Sequence, residues 1–146
     1  MERYETSSNY QIMRIIRSDE PLSMKKDNGE DDVTLLLIPY ITLDVKNNTA
    51  TTILKSQFVM RDENPITNEL IVNITYKFQN DIPVVKDGNS KIKIANSKDL
   101  FSIFDTSIGI FRGILYEWLK GSSLQQPLPL INMGEFLKEL KYSFSK

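Results

Sequence analysis

The chain has 146 residues, a length that fits one domain and lets it bury roughly two-thirds of its unfolded surface. With 40% hydrophobic and 25% charged residues its composition is that of a folded globular protein, which counts against global disorder, collagen-like and membrane classes. Eighteen basic against 19 acidic residues leave a formal charge of −1, so no long-range field favours nucleic acid or an anionic membrane.

Cysteine and histidine are both absent. This removes disulfides and thiolate chemistry, and with them the commonest metal ligand and the commonest general base at neutral pH. The start, MERYETSSNYQIMRII, lacks a basic segment followed by an uninterrupted apolar one. No run of about 18 apolar residues occurs, so a cytoplasmic protein without membrane insertion is expected.

Tyr10 to Arg17, YQIMRIIR, is a β-branched and aromatic run that predicts a first strand, with Tyr10, Ile12 and Ile16 on one face. The following DEPLSMKKDNGEDD is rich in Pro, Gly, Asn and charge and reads as a solvated loop. From Val33 to Lys46, the residues Leu35, Leu37, Ile41, Leu43 and Val45 alternate with Thr34, Thr42, Asp44 and Lys46, which predicts a long second strand. Pro39 cannot donate to a ladder, so this strand is expected at a sheet edge or bulged at that point. Asn47-Asn48 then supplies residues that tolerate the positive φ of a tight hairpin.

A third strand carries Thr52, Leu54, Phe58 and Met60 on one face, and RDENP punctuates the chain after it. The fourth has the clearest pattern, with Leu70, Val72, Ile74, Tyr76 and Phe78 opposite Glu69, Asn73, Thr75 and Lys77, and Ile71 as the one apolar intruder. One core face and one wet face are what an antiparallel meander requires. Residues 80–96 form a connection longer than a tight loop and are expected to cross over the structure.

At about 100° per residue, the run from Leu100 to Leu119 gathers its apolar side chains on one half of a helix. An arc of roughly 180° exceeds the roughly 100° stripe that one sheet covers. A second copy of the chain is therefore expected over Ile103, Ile110, Phe111, Ile114 and Trp118, with burial in the chain's own core as the alternative. Gly121 suits the left-handed position that ends a helix, and Pro127 and Pro129 favour an extended linker. Asn132 with Glu135, and Ile131 with Phe136, then resemble the capping box and staple that start a second, short helix over about 132–142. The expected fold is α+β in one domain over 1–146: a four-stranded antiparallel sheet over about 9–79, a crossover, a long amphipathic helix over about 97–120 and the short C-terminal helix.

That order of elements resembles the SecB-type protein-export chaperones. Two stretches carry the resemblance at residue level. Residues 10–19, YQIMRIIRSD, are similar to the family's opening strand, an aromatic followed by Gln-Ile-x-Arg-Ile and then an Asp. Residues 121–132, from Gly121 to Asn132, resemble its glycine-to-asparagine linker, with Leu128 and Ile131 at matching apolar places. The chain departs from the family at Pro129, one place early, at Lys25-Lys26 in the first loop, and in lacking the acidity that helps the family dock its export motor, so the resemblance does not carry that docking over.

The resemblance implies an ATP-independent chaperone that holds unfolded or partly folded polypeptides in apolar grooves, assembled as a homo-oligomer, a tetramer built as a pair of dimers. Groove candidates are Met13, Ile15, Leu128, Leu130, Ile131 and Phe136. Packing within the chain is the competing reading, above all for Ile131 and Phe136. A second functional class is a binding module for one cognate protein, such as an antitoxin, which some members of the family serve.

No catalytic residues, cofactor or metal follow from the sequence. The pairs Asp19-Glu20, Asp31-Asp32 and Asp62-Glu63 are adjacent carboxylates, which face opposite ways on a strand or are hydrated in loops. Gly109 and Gly113 form a G-x-x-x-G spacing near the polar arc, read either as a helix contact in an oligomer or as two tolerated glycines. The aromatic residues sit at helical or strand spacing and make no RNP-like pattern.

Overall fold

The structure is a computed structural model that describes residues 10–24, 33–60, 64–82, 84–86, 92–95, 97–125 and 133–144. In chain order the elements are β1 (Tyr10–Arg17), β2 (Val33–Asp44), β3 (Thr49–Met60), β4 (Leu70–Phe78), β5 (Val84–Lys86), β6 (Ile92–Ile94), α1 (Ser97–Trp118), α2 (Met133–Phe136), a 3-10 turn (Leu137–Glu139) and β7 (Lys141–Phe144). The predicted four strands form an antiparallel sheet in the order β1-β4-β3-β2, and β7 adds to the β2 edge in parallel.

The hairpin between β2 and β3 turns where the sequence placed it. Asn48 takes a φ of 59°, a conformation that asparagine tolerates better than most residues. Its side chain also ties the turn to the far end of β4. The amide Nδ2 donates to the carbonyls of Phe78 (2.9 Å) and Asn80 (2.6 Å), while Oδ1 accepts from the Ile82 N–H (2.7 Å). Beside it, the Asn47 amide donates to the Asp44 carboxylate, which holds Asp44 below its usual carboxylate range.

Alternation places Leu54, Leu70, Val72, Ile74, Tyr76 and Phe78 on one face of the sheet, all buried. Across that face lies α1, whose Ile103, Phe104, Ile108, Phe111 and Leu115 are buried in the same core. A chain of hydroxyls crosses the interface. Tyr76 donates to the Ile103 carbonyl (3.0 Å), so its oxygen accepts from Ser107 (2.6 Å), and Ser107 in turn accepts from Thr52 (2.7 Å). All three side chains are fully enclosed, so every polar atom must find its partner within the chain. Burial pushes the Tyr76 phenol up to about 12.

Most of the wide apolar arc of α1 is covered by its own chain, which corrects the expectation of a second copy over Ile103, Phe111 and Trp118. These three are buried, and only Ile110 and Ile114 remain half-buried on the flank. The extra cover comes from parts of the sequence that gave no strong periodic signal. Ile82 and Ile94 of the crossover join the core, the Phe136 ring meets Phe104 edge-on at 6.3 Å, and the Trp118 indole donates to the Glu20 carbonyl (3.0 Å) in the loop after β1.

Two further expectations meet differences. The crossover, expected only as a long connection, contains a small antiparallel pair, β5 with β6. The short C-terminal helix is confined to Met133–Phe136 and a 3-10 turn, and the chain then extends into β7 instead of remaining helical to residue 142. One isolated helical turn gains little from its own hydrogen bonds, whereas the free β2 edge offers a ladder to the same backbone. Pro39 sits at the last position before β7 begins opposite Tyr40, so its missing N–H falls where β2 is still an edge. Asn132 and Ile131, the expected cap and staple residues, lie outside the described residues.

Gly121 ends α1 with a φ of 82°, the left-handed conformation expected of it. Gly109 and Gly113 are exposed, and a Cβ built at either meets nothing within 4 Å.

Two outcomes follow. Tyr76→Phe leaves the Ser107 hydroxyl without its acceptor and takes from Ile103 O the phenol that donates to it, and is expected to cost about 1–3 kcal/mol in urea unfolding. The unfolded phenol ionises near pH 10 and the folded one near 12, so wild-type stability is full below pH 10 and declines as the pH rises toward 12; the Phe variant shows a flatter profile. Gly109→Ala and Gly113→Ala are each expected to raise stability by about 1 kcal/mol. A loss of stability or of assembly on either change would instead reveal a close helix contact between copies.

Candidate polypeptide-binding surface

β1 is an edge strand, and among the described residues no strand pairs with its outer side. Such an edge offers a row of unpaired N–H and C=O groups to any extended chain that comes beside it. Both ends of β1 are fastened. At Tyr10 the ring stands edge-on to Tyr76 at 5.4 Å and lies against Phe78 at 5.5 Å, and its hydroxyl is hydrogen-bonded to Ser102. At the other end the Ser18 N–H donates to the Ile71 carbonyl (2.9 Å), and Ser18 Oγ accepts from the Ile71 N–H (2.8 Å).

Between these ties the strand shows its apolar residues to solvent. Ile12 is 41% exposed, Met13 53%, Ile15 45% and Ile16 53%. A soluble edge strand ordinarily carries charge, proline or a bulge in that position to discourage pairing. Here a bulge is present but serves another end. Ile12 pairs with Tyr76 and Arg14 with Thr75, which leaves Met13 as the additional residue. Past it the two faces exchange: Ile15 lies opposite Ile74 on the helix-covered face, and Ile16 opposite Asn73 on the other. The simple alternation that grouped Ile16 with Tyr10 and Ile12 is thereby corrected, because a period of 2 fails at one inserted residue.

The face of the sheet away from α1 is less wet than its polar positions suggested. Tyr40 lies opposite Ile53, Ile53 opposite Asn73, and Asn73 opposite Ile16, so a row that is apolar on β2, β3 and β1 and interrupted only by Asn73 on β4 crosses the sheet. Ile38 and Ile71 flank it on either side of Lys55, whose ammonium sits 5.2 Å from the Tyr40 ring centre. Leu36 continues the row at 42% exposure. Ile71 is thus one member of a stripe. Among the described residues no helix covers it.

The expected groove residues separate into three groups. Met13 and Ile15 are exposed on β1, together with Ile12 and Ile16, which sequence periodicity had placed with Tyr10 on the other face. Phe136 is half-buried against Phe104, where it serves the chain's own packing. Leu128, Leu130 and Ile131 lie outside the described residues. On α1, Phe101 (43%), a member of the apolar arc, and Tyr116 (51%), which lies outside it, are exposed.

A recess of about 150 Å³ lined by Tyr10, Gln11, Lys77 and Gln79 is well under the roughly 300–1,000 Å³ of small-molecule sites. Among the described residues no three carboxylates gather as a metal site, and no helix is long and apolar enough to cross a membrane.

No protein-family model matches the chain, and no curated protein matches it. Among solved structures, the Mycobacterium tuberculosis Rv1957 SecB-like chaperone, in complex with a ChAD peptide from the Rv1956 HigA1 antitoxin, aligns over 84% of this chain and 86% of its own, at a TM-score of 0.51 and 12% identity. A protein of unknown function from Streptococcus agalactiae aligns over 87% of this chain and 99% of its own, at a TM-score of 0.42 and 10% identity. The fold is SecB-like.

Met13→Asp combined with Ile16→Asp tests the β1 surface without touching the core. Stability in urea is expected to stay within about 0.5 kcal/mol per substitution, as for other exposed sites. Binding of an unfolded polypeptide is expected to weaken about tenfold or more, since each lost apolar contact is worth about 1.5 kcal/mol or more when buried. Unchanged binding by a folded double variant would remove β1 from the site.

Proposed function

We propose that this protein is an ATP-independent chaperone that holds extended, unfolded or partly folded polypeptides against the apolar surfaces of its sheet. The observation that carries this reading is β1: an edge strand with no strand on its outer side among the described residues, with four exposed apolar side chains and tied at both ends. Backbone pairing along such an edge supplies affinity for any sequence, and apolar side chains on both faces select for clients that are themselves apolar. The SecB-like fold supports the same assignment, as does the peptide held by the mycobacterial protein of that fold.

Self-association belongs to the proposal. With Ile103, Phe111 and Trp118 enclosed, the surface left for a second copy includes Ile110, Ile114, Phe101 and Tyr116 on α1, and a tetramer is the state the resemblance implies. The cytoplasm is the compartment in which we place it.

A second reading is a binding module for one cognate protein. It draws on the antitoxin peptide in the mycobacterial complex. The two differ in breadth: a general chaperone captures many unrelated unfolded chains, and a dedicated module captures one.

Native mass spectrometry of the protein, alone and with several unrelated unfolded polypeptides, separates them. The expected result is an oligomer, with a tetramer as the leading mass, that takes up each polypeptide and keeps it without ATP. An oligomer that ignores all of them would overturn general holding and favour the cognate module. A monomer at micromolar concentrations would overturn the proposed assembly.

A further inference from the structure

The sheet has two edges, and the protein treats them differently. Among the described residues β1 has no strand on its outer side, while at the opposite edge β7 lies along β2, with Lys141 beside Tyr40, Tyr142 beside Ile41, Ser143 beside Thr42 and Phe144 beside Leu43. This is the one parallel pairing in the sheet, and it covers four of the twelve residues of β2. Upstream of it, Val33–Pro39 has no strand on that side among the described residues.

From this arrangement we infer that the β2 edge is a second strand-accepting site for an extended apolar polypeptide, and that β7 is its resident occupant, which a client must displace to use the full edge. The inference rests on the proposed polypeptide-holding function and adds a regulatory element to it. Three observations support it. First, β7 itself demonstrates that this edge accepts a strand, and in which direction. Second, the free stretch is continuous with that interface and bordered by apolar side chains: Leu36 is exposed and Ile38 half-buried on the face away from α1, with Leu35 and Leu37 half-buried on the other.

Third, β7 is the kind of strand that yields. Four residues of parallel pairing make fewer and slightly weaker ladder bonds than the twelve antiparallel pairs between β2 and β3. A longer client that pairs with both the β7 positions and Val33–Ile38 gains more ladder than β7 gives up. Pro39 contributes no N–H to either occupant, so it sets a break between the part that β7 holds and the part that stays open.

The cysteine-free sequence makes a direct test possible. Thr42→Cys with Ser143→Cys places the only two thiols at neighbouring positions of the β2-β7 ladder, where strands about 4.8 Å apart lie within reach of a disulfide. The same molecule is then measured oxidised and reduced, with reduced and carboxymethylated α-lactalbumin as the unfolded probe. The expected result is binding at least about tenfold weaker in the oxidised state, restored by reductant.

Equal affinities in the two states would overturn the displacement of β7 and leave the holding function standing. Failure of wild type and of both states to bind any unfolded polypeptide would instead overturn the holding function, and this inference with it. A second variant guards against a disulfide that does not form. Ser143→Pro removes a backbone donor from β7 and is expected to tighten capture at least about threefold; unchanged or weaker capture by a protein with a native circular dichroism spectrum overturns the inference.

Discussion

A single long helix has to cover the apolar face of a sheet four strands wide, and the rest of the structure answers to that constraint. The helix meets it by burying nearly half its circumference, which its sequence provides from Leu100 to Leu119. A helix with so wide an apolar arc can roll on a flat sheet at little cost in buried area, because the hydrophobic effect has no direction. The hydroxyl chain from Thr52 through Ser107 and Tyr76 to the Ile103 carbonyl removes that freedom, since a shift of α1 would strand several buried polar atoms at once.

Once α1 is fixed, everything else is arranged around its flanks. The crossover contributes Ile82 and Ile94, the loop after β1 accepts the Trp118 hydrogen bond, and the C-terminal segment brings Phe136 against Phe104. Asn48 joins the β2-β3 hairpin to the end of β4 and to the first residues of the crossover, so the crossover leaves the sheet in a defined direction. The same economy decides what is left uncovered. Among the described residues, one helix on one face leaves the other face, the β1 edge and the part of the β2 edge beyond β7 to side-chain choice, and there the protein keeps apolar residues.

That remainder is the candidate binding surface. Its chemistry suits an extended polypeptide, for it offers backbone groups along an edge and aliphatic side chains on both faces. The bulge at Met13 is what gives both faces their share. It turns Ile15 toward the helix-covered face and Ile16 away from it, where strict alternation would have placed both the other way round.

Much of this was legible in the sequence. The four strands, the crossover, the long helix and its glycine stop follow from period 2, period 3.6 and turn residues, because each is set by contacts within a few positions of the chain. The edge position of Pro39 and the turn at Asn48 are equally local, since each depends on what one residue's own backbone permits. Tertiary structure alone decided the rest. Whether Ile103, Phe111 and Trp118 face a second copy or their own core depends on what lies over the flanks of α1, and that cover comes from segments distant in sequence with little periodicity of their own. The path of Lys141–Phe144 likewise depended on a partner about one hundred residues away: the segment can form a marginal helical turn or a strand, and the free β2 edge chose the strand. The faces of Ile15 and Ile16 turned on a single inserted residue, which leaves no mark in composition or pattern because it exists only in the register between two strands.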